Sequence, residues 1–121
     1  MDEVAEFWDN FAAEYYQIQK ESQVPIVTDI ERFLTEQRLL PTNSVVDLGG
    51  GSGRYLPILA QNSQQYTIVD ISEQMLRYAQ VENQALSEPR SVTYQQQSVA
   101  DFCQQTPDQS YDLVWMHSTR R

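Results

Sequence analysis

Val45-Val46-Asp47-Leu48-Gly49-Gly50-Gly51-Ser52-Gly53 is the stretch at which the chain changes its period. Ser44 to Leu48 is a short apolar run ending in glycines, the pattern of a buried strand. Behind it, Arg54 to about Asn62 has helical spacing, with Leu56, Ile58 and Leu59 on the inner face. Pro57 falls in the first turn, where a missing N–H costs least. A strand that runs through glycines into a helix turns sharply and lets a ligand approach the main chain. The helix start behind it offers unpaired N–H groups to an anionic or polar group.

Outward from this segment the chain alternates. Tyr66 to Ile71 reads as a second strand. Ser72 is a suitable N-cap for the following helix, Glu73 suits its positive end, and Met75, Leu76 and Ala79 face inward. Ser91 to Gln95 reads as a third strand, Ala100 to about Gln105 as one helical turn, and Tyr111 to His117 as a fourth strand, entered through the turn residues Thr106-Pro107-Asp108. On the N-terminal side, Val4, Phe7, Trp8, Phe11, Tyr15 and Ile18 recur at helical spacing over residues 2–19. This aromatic stripe is read as packing, with a lid over a ligand as the other reading. A second helix is expected from about Pro25 to Arg38, with Ile26, Ile30, Phe33 and Leu34 on one face. Two helices followed by alternating strands and helices imply an α/β fold, with a parallel sheet and right-handed crossovers.

Composition narrows the function classes. The chain has 121 residues, enough for one domain, with 40% hydrophobic residues and 11% aromatics. With 8 Lys+Arg against 17 Asp+Glu, the net charge of −9 argues against binding nucleic acid or an anionic membrane surface. No run approaches the roughly 18 consecutive apolar residues of a spanning helix, and the acidic start Met1-Asp2-Glu3 lacks a signal pattern. The single cysteine, Cys103, has no internal partner and is read as a small hydrophobe, so a cytoplasmic location is expected. No metal is expected.

Three nucleotide-binding readings compete for the glycine segment. A phosphate-binding P-loop needs Gly-Lys-Ser/Thr, whereas Gly53 is followed by Arg54-Tyr55. A dinucleotide fingerprint needs GxGxxG, but Arg54 or Leu56 stands at the third glycine. The remaining pattern, Asp47, Gly49, Gly51 and Gly53 as D-x-G-x-G-x-G, resembles motif I of the class I S-adenosylmethionine-dependent methyltransferases. Asp70 ends the second strand about 20 residues beyond Gly49, where a carboxylate accepts hydrogen bonds from both ribose hydroxyls of an adenosine. By itself Asp70 reads equally well as an acid at the N-terminus of the next helix.

The resemblance extends over nearly the whole chain and is nearest to small-molecule methyltransferases of the ubiquinone-biosynthesis-like type. It implies S-adenosyl-L-methionine as cofactor and a small-molecule acceptor. It implies a Rossmann-like three-layer sandwich with a mostly parallel sheet of order 3-2-1-4, preceded by two helices. Asp47 and the glycines would orient the methionyl end, while Ile71 and Met75 would pack on the adenine. Ser98 and Val99 stand where many members carry an acid for the adenine amino group; Asp101 takes that place under a shifted register. Ser110-Tyr111-Asp112-Leu113-Val114 resembles the entry to the family's fourth strand, with Asp112 structural. The aromatic signature of nucleic-acid amino-methyltransferases is absent, with His117-Ser118-Thr119 near its place. His117, the only histidine, ends a strand where such sheets bind ligands and is the candidate base. Tyr15 and Tyr16 reach the cofactor if the first helix folds over it, and otherwise pack.

The family's sheet continues beyond a fourth strand, so residues 1–121 are expected to form a single domain that is the N-terminal part of the full fold, truncated, with the outer half missing. Leu113, Val114, Trp115 and Met116 then form an uncovered edge that favours self-association. A non-catalytic or partner-dependent S-adenosylmethionine-binding module, and a different nucleotide-binding module, are the alternatives.

Overall fold

The computed structural model describes residues 3–22, 24–107 and 110–116. Its elements are α1 (Glu3–Ser22), α2 (Val24–Glu36), β1 (Thr42–Leu48), α3 (Leu56–Leu59), β2 (Ser63–Asp70), α4 (Glu73–Gln84), β3 (Val92–Gln96), α5 (Val99–Gln105) and β4 (Leu113–Met116). The strands form one sheet of order β3-β2-β1-β4, with every neighbouring pair parallel. The chain therefore has the expected Rossmann-like α/β architecture, with two helices ahead of the sheet.

Side-chain alternation along the central strands builds the layers. Val45, Tyr66 and Ile68 point to one face, where they meet Leu34 of α2, Leu56 and Leu59 of α3, and Leu76 and Ala79 of α4. Val46, Leu48 and Val69 point to the other face and pack with Phe102 of α5. β1 and β2 are thus apolar on both faces, as the continuous runs VVDL and YTIV require.

Helix boundaries follow local chemistry. α2 ends where Arg38 takes a left-handed φ of 62° and the Leu39 N–H returns to the Leu34 carbonyl at 2.9 Å. The helix expected over residues 54–62 contracts to Leu56–Leu59. Residues 51–55 are consumed in tight turns, with Gly53 N–H bonded to Gly50 O and Leu56 N–H to Gly53 O. So short a helix is not held by its own hydrogen bonds. Its buried Leu56, Ile58 and Leu59 hold it, each contributing roughly 1.5–3 kcal/mol of burial. α4 is capped as expected: the Ser72 Oγ accepts from the Met75 N–H at 3.1 Å.

The two sheet edges differ. β3 presents the exposed polar residues Thr93 and Gln96. β4 packs Leu113 and Trp115 against the larger core but leaves Val114 57% and Met116 64% exposed on the opposite face. Asp112 ties the start of β4 to β1: its Oδ2 accepts from the Ser44 N–H at 3.1 Å and the Ser44 hydroxyl at 3.3 Å. Among the described residues no helix is long and apolar enough to cross a membrane.

Candidate functional site

The sheet order reverses direction between β1 and β4, and a crevice opens there beyond the carboxyl ends of the strands. It holds a cavity of about 730 Å3, in the upper part of the range of roughly 300–1,000 Å3 usual for small-molecule sites.

The glycine turn forms one wall. Gly49 and Gly51 adopt φ of 71° and 60°. A Cβ at Gly49 would meet nothing within 4 Å, and one at Gly51 would approach only Asp70 Oδ2, at 4.0 Å. The main chain is therefore bare on this side, a cradle that side chains would fill. Gly50 is the opposite case: a Cβ there would lie 2.5 Å from Ile68 Cγ1 and 2.8 Å from Asp47 Cγ. The turn rests directly on the Asp47 carboxyl.

Asp70 closes the turn from the end of β2. Its Oδ2 accepts from the Gly51 N–H and its Oδ1 from the Ser72 N–H, each at 2.9 Å. A carboxylate has about four acceptor sites, so both oxygens retain capacity for a ligand. Burial pushes the Asp70 carboxyl above its ordinary range, opposed by the backbone N–H groups of Ser72, Gly51 and Ile71. Ile71 and Met75 continue this wall, and Ser98 and Val99 face it from the start of α5. Ser98 is the N-cap of α5, its Oγ accepting from the Asp101 N–H at 3.0 Å. Asp101 itself is exposed and does not line the cavity.

Asp47 forms part of the cavity wall but is only 1% exposed. Desolvation lifts its carboxyl to about 7. The Tyr66 hydroxyl, donating to Oδ2 at 2.5 Å, opposes this, and the charge of Asp70 adds to it. The folded chain thus retains a proton that an unfolded chain releases near the ordinary carboxylate range. Asp47 favours folding fully below that range, and its contribution is lost as pH rises toward about 7. A cationic group placed beside it reverses this cost.

α1 supplies the outer wall through Val4, Trp8 and Tyr15. Polar contacts fix its position. The Ser52 hydroxyl donates to the buried Gln19 Oε1 at 2.7 Å. Asp9 Oδ1 accepts from the Ser72 hydroxyl at 2.5 Å and the Gln74 N–H at 3.2 Å. Tyr16 turns the other way: it stacks on Tyr78 at 4.5 Å and donates to Glu82 Oε2 at 2.5 Å.

The structure therefore brings Asp47, Gly49, Gly51, Asp70, Ile71, Met75, Ser98 and Val99 to one cavity. Gly53 is not on its wall; a Cβ there would meet the Ala79 Cα of α4 at 3.2 Å. His117 lies outside the described residues. Sequence reasoning did not single out Leu48, Gly50, Arg54, Tyr55 or Met116 as wall residues, whereas Val4 and Trp8 belong to the stripe whose other reading was a lid. Arg54 and Tyr55 directly follow the glycine motif. Val4, Trp8 and Tyr15 recur every four and seven residues, the spacing of a single helix face.

Comparison with known proteins gives a consistent picture. Residues 45–120 match a family model described as a methyltransferase domain. The fold is similar to that of magnesium protoporphyrin IX methyltransferase (ChlM) from Synechocystis PCC 6803 with bound SAM. The identity is 25% and the TM-score 0.72, over 93% of this chain and 59% of that one. It is also similar to DhpI in a SAM–HEP complex, at 24% identity and TM-score 0.62, over 92% of this chain and 47% of that one. A SAM-dependent methyltransferase from Leishmania major gives 23% identity and TM-score 0.56, over 88% and 46% of the two chains. The chain spans about half the length of these structures. No curated protein matches it in sequence.

Proposed function

The chain belongs to the methyltransferase-domain family, and from that premise we propose that it carries the cofactor-binding half of an S-adenosyl-L-methionine-dependent methyltransferase acting on a small-molecule acceptor. One observation carries the reading: the Asp70 carboxylate and the bare glycine turn, joined by the Gly51–Asp70 bond, converge on a single cavity. The 25% identical ChlM structure, which holds SAM, supports it.

In this reading S-adenosylmethionine supplies a methyl group activated by a sulfonium, and the protein's task is alignment and exclusion of water. Asp70 accepts hydrogen bonds from the ribose hydroxyls. The bare turn at Gly49 and Gly51 would let the methionyl end approach the main chain, with Asp47 as the partner for its ammonium. Ile71, Met75 and Val99 offer apolar surface to the adenine ring, with the Ser98 backbone and hydroxyl beside it. Val4 and Trp8 of α1 screen the cavity from solvent. For an acceptor hydroxyl or protonated amine, we assign proton removal to His117, which follows the wall residue Met116 in the chain.

Calorimetric titration with S-adenosylmethionine, S-adenosylhomocysteine and NADH tests this directly. Saturable binding of the first two, with none of NADH, is expected. A preference for NADH would overturn the reading in favour of a different nucleotide-binding module.

Among the described residues β4 is an edge strand with Val114 and Met116 exposed, which leads us to infer self-association through that strand. Sedimentation should show a weight-average mass that rises with protein concentration; a monodisperse monomer at high concentration would remove this inference. The free, exposed Cys103 is in keeping with the reducing cytoplasmic setting that we assign to the chain.

A further inference from the structure

The β1–β2 register pairs Asp47 with Ile68. Tyr66 therefore lies one side-chain repeat earlier on the same face, within diagonal reach of a long side chain. Tyr66 is 2% exposed and its hydroxyl is among core residues. A position that only filled the core would take phenylalanine, since a buried hydroxyl is costly unless bonded. Among the described residues, this hydroxyl is the one hydrogen-bond donor to the Asp47 carboxyl, and that carboxyl supports Gly50 in the glycine turn.

We propose that Tyr66 is a positioning residue for the ligand site: by occupying Oδ2 it fixes the Asp47 carboxyl beneath the glycine turn and keeps it ready to receive the cationic end of the ligand. The proposal rests on the cofactor reading above.

The groups around the pair set its pH behaviour. Burial lifts the Asp47 carboxyl, the Tyr66 hydroxyl lowers it, and Asp70 of β2 adds to the rise. Tyr94 of β3 acts on Tyr66. Tyr55 is coupled to Asp47, and in turn to Arg54 and to Tyr15 of α1. Removing the hydroxyl leaves burial and Asp70 unopposed, so the carboxyl should ionise at higher pH. A ligand ammonium needs the ionised form.

The test compares S-adenosylmethionine affinity of the wild-type chain and Tyr66→Phe from pH 6 to 9, by calorimetry. The ligand's own ammonium titrates identically against both proteins, so the ratio of affinities isolates the protein group. Tyr66→Phe keeps the ring and its packing, and matched thermal melts check that it folds. The variant should bind roughly tenfold more weakly near pH 6.5, with the deficit shrinking as pH rises. Carbon NMR of the ligand-free proteins should show the Asp47 carboxyl titrating at higher pH in the variant. In an Asp47→Asn background, Tyr66→Phe should change affinity little. A deficit independent of pH, an unmoved Asp47 titration, or the full loss persisting in Asp47→Asn would overturn the proposal. Failure of the wild-type chain to bind would instead overturn the cofactor reading, and this proposal with it.

Discussion

Asp70→Ala is expected to weaken S-adenosylmethionine binding by roughly 100-fold or more, while the chain remains folded. In the proposed binding mode the magnitude comes from two charge-assisted hydrogen bonds to the ribose, each worth about 1.5–3 kcal/mol when made to an ionised group. The same carboxylate also accepts from the Gly51 and Ser72 N–H groups, so the alanine variant loosens the glycine turn as well. Asp70→Asn is the milder change, removing the charge and one of the two acceptors. It keeps the side-chain shape and one acceptor oxygen but loses the charge. Burial already holds the Asp70 carboxyl above its usual range, so its charge opposes folding. Neutralising it removes that cost, but the amide NH2 cannot accept from the second backbone N–H, a loss of about 1–3 kcal/mol, so stability should fall modestly. Calorimetry for affinity and circular dichroism melts for stability read the two quantities independently. Unchanged affinity in the alanine variant would remove Asp70 from the site.

Gly53→Ala is expected to act through the fold instead, lowering stability by about 2–4 kcal/mol. Gly53 holds φ at 80°, a left-handed conformation that costs other residues about 1–3 kcal/mol. The added methyl also meets the Ala79 Cα at 3.2 Å and Cβ at 3.3 Å, against the backbone of α4. That backbone cannot yield as the end of a flexible side chain would. For a domain of this size the loss corresponds to a melting temperature lower by roughly 10 °C or more. Urea unfolding gives the free energy directly, and an unchanged midpoint would show that the turn can move away from α4. The two substitutions thus separate two contributions: Asp70 lies on the cavity wall, whereas Gly53 sets how closely α3 and α4 pack.

How far the sequence could be read depends on the kind of information involved. The alternation of apolar runs with helical spacing, together with the family resemblance, was sufficient for the element order and the parallel sheet. Both are written in local periodicity and in the glycine motif. Strand register is not. Without the pairing of Asp47 with Ile68, nothing marks Tyr66 as a partner of Asp47, because the two are separated by a helix. The extent of α3 was overread for a related reason: the apolar spacing from Arg54 onward looks helical, but the turn bonds around Gly53 use up its beginning. The stripe on α1 was legible as a helix but not in what each residue meets. Phe7 stays 59% exposed, whereas Trp8, its neighbour in the chain, reaches the cavity. Gln19 left no signal at all, since a buried glutamine looks like the exposed ones around it until Ser52 is brought beside it.

The distribution of aromatic rings gives the molecule a pair of built-in optical probes. The chain has two tryptophans. Trp8 stands on the cavity wall. Trp115 lies in β4 against the Tyr55 ring, at a centroid separation of 5.3 Å, and belongs to the core packing. The tryptophan emission therefore has two sources with different duties, one at the crevice and one at the sheet. Exchanging either for phenylalanine leaves a single tryptophan, whose red-shifted absorption sets it apart from the seven tyrosines, so that occupancy and unfolding can be followed as separate signals without any attached dye.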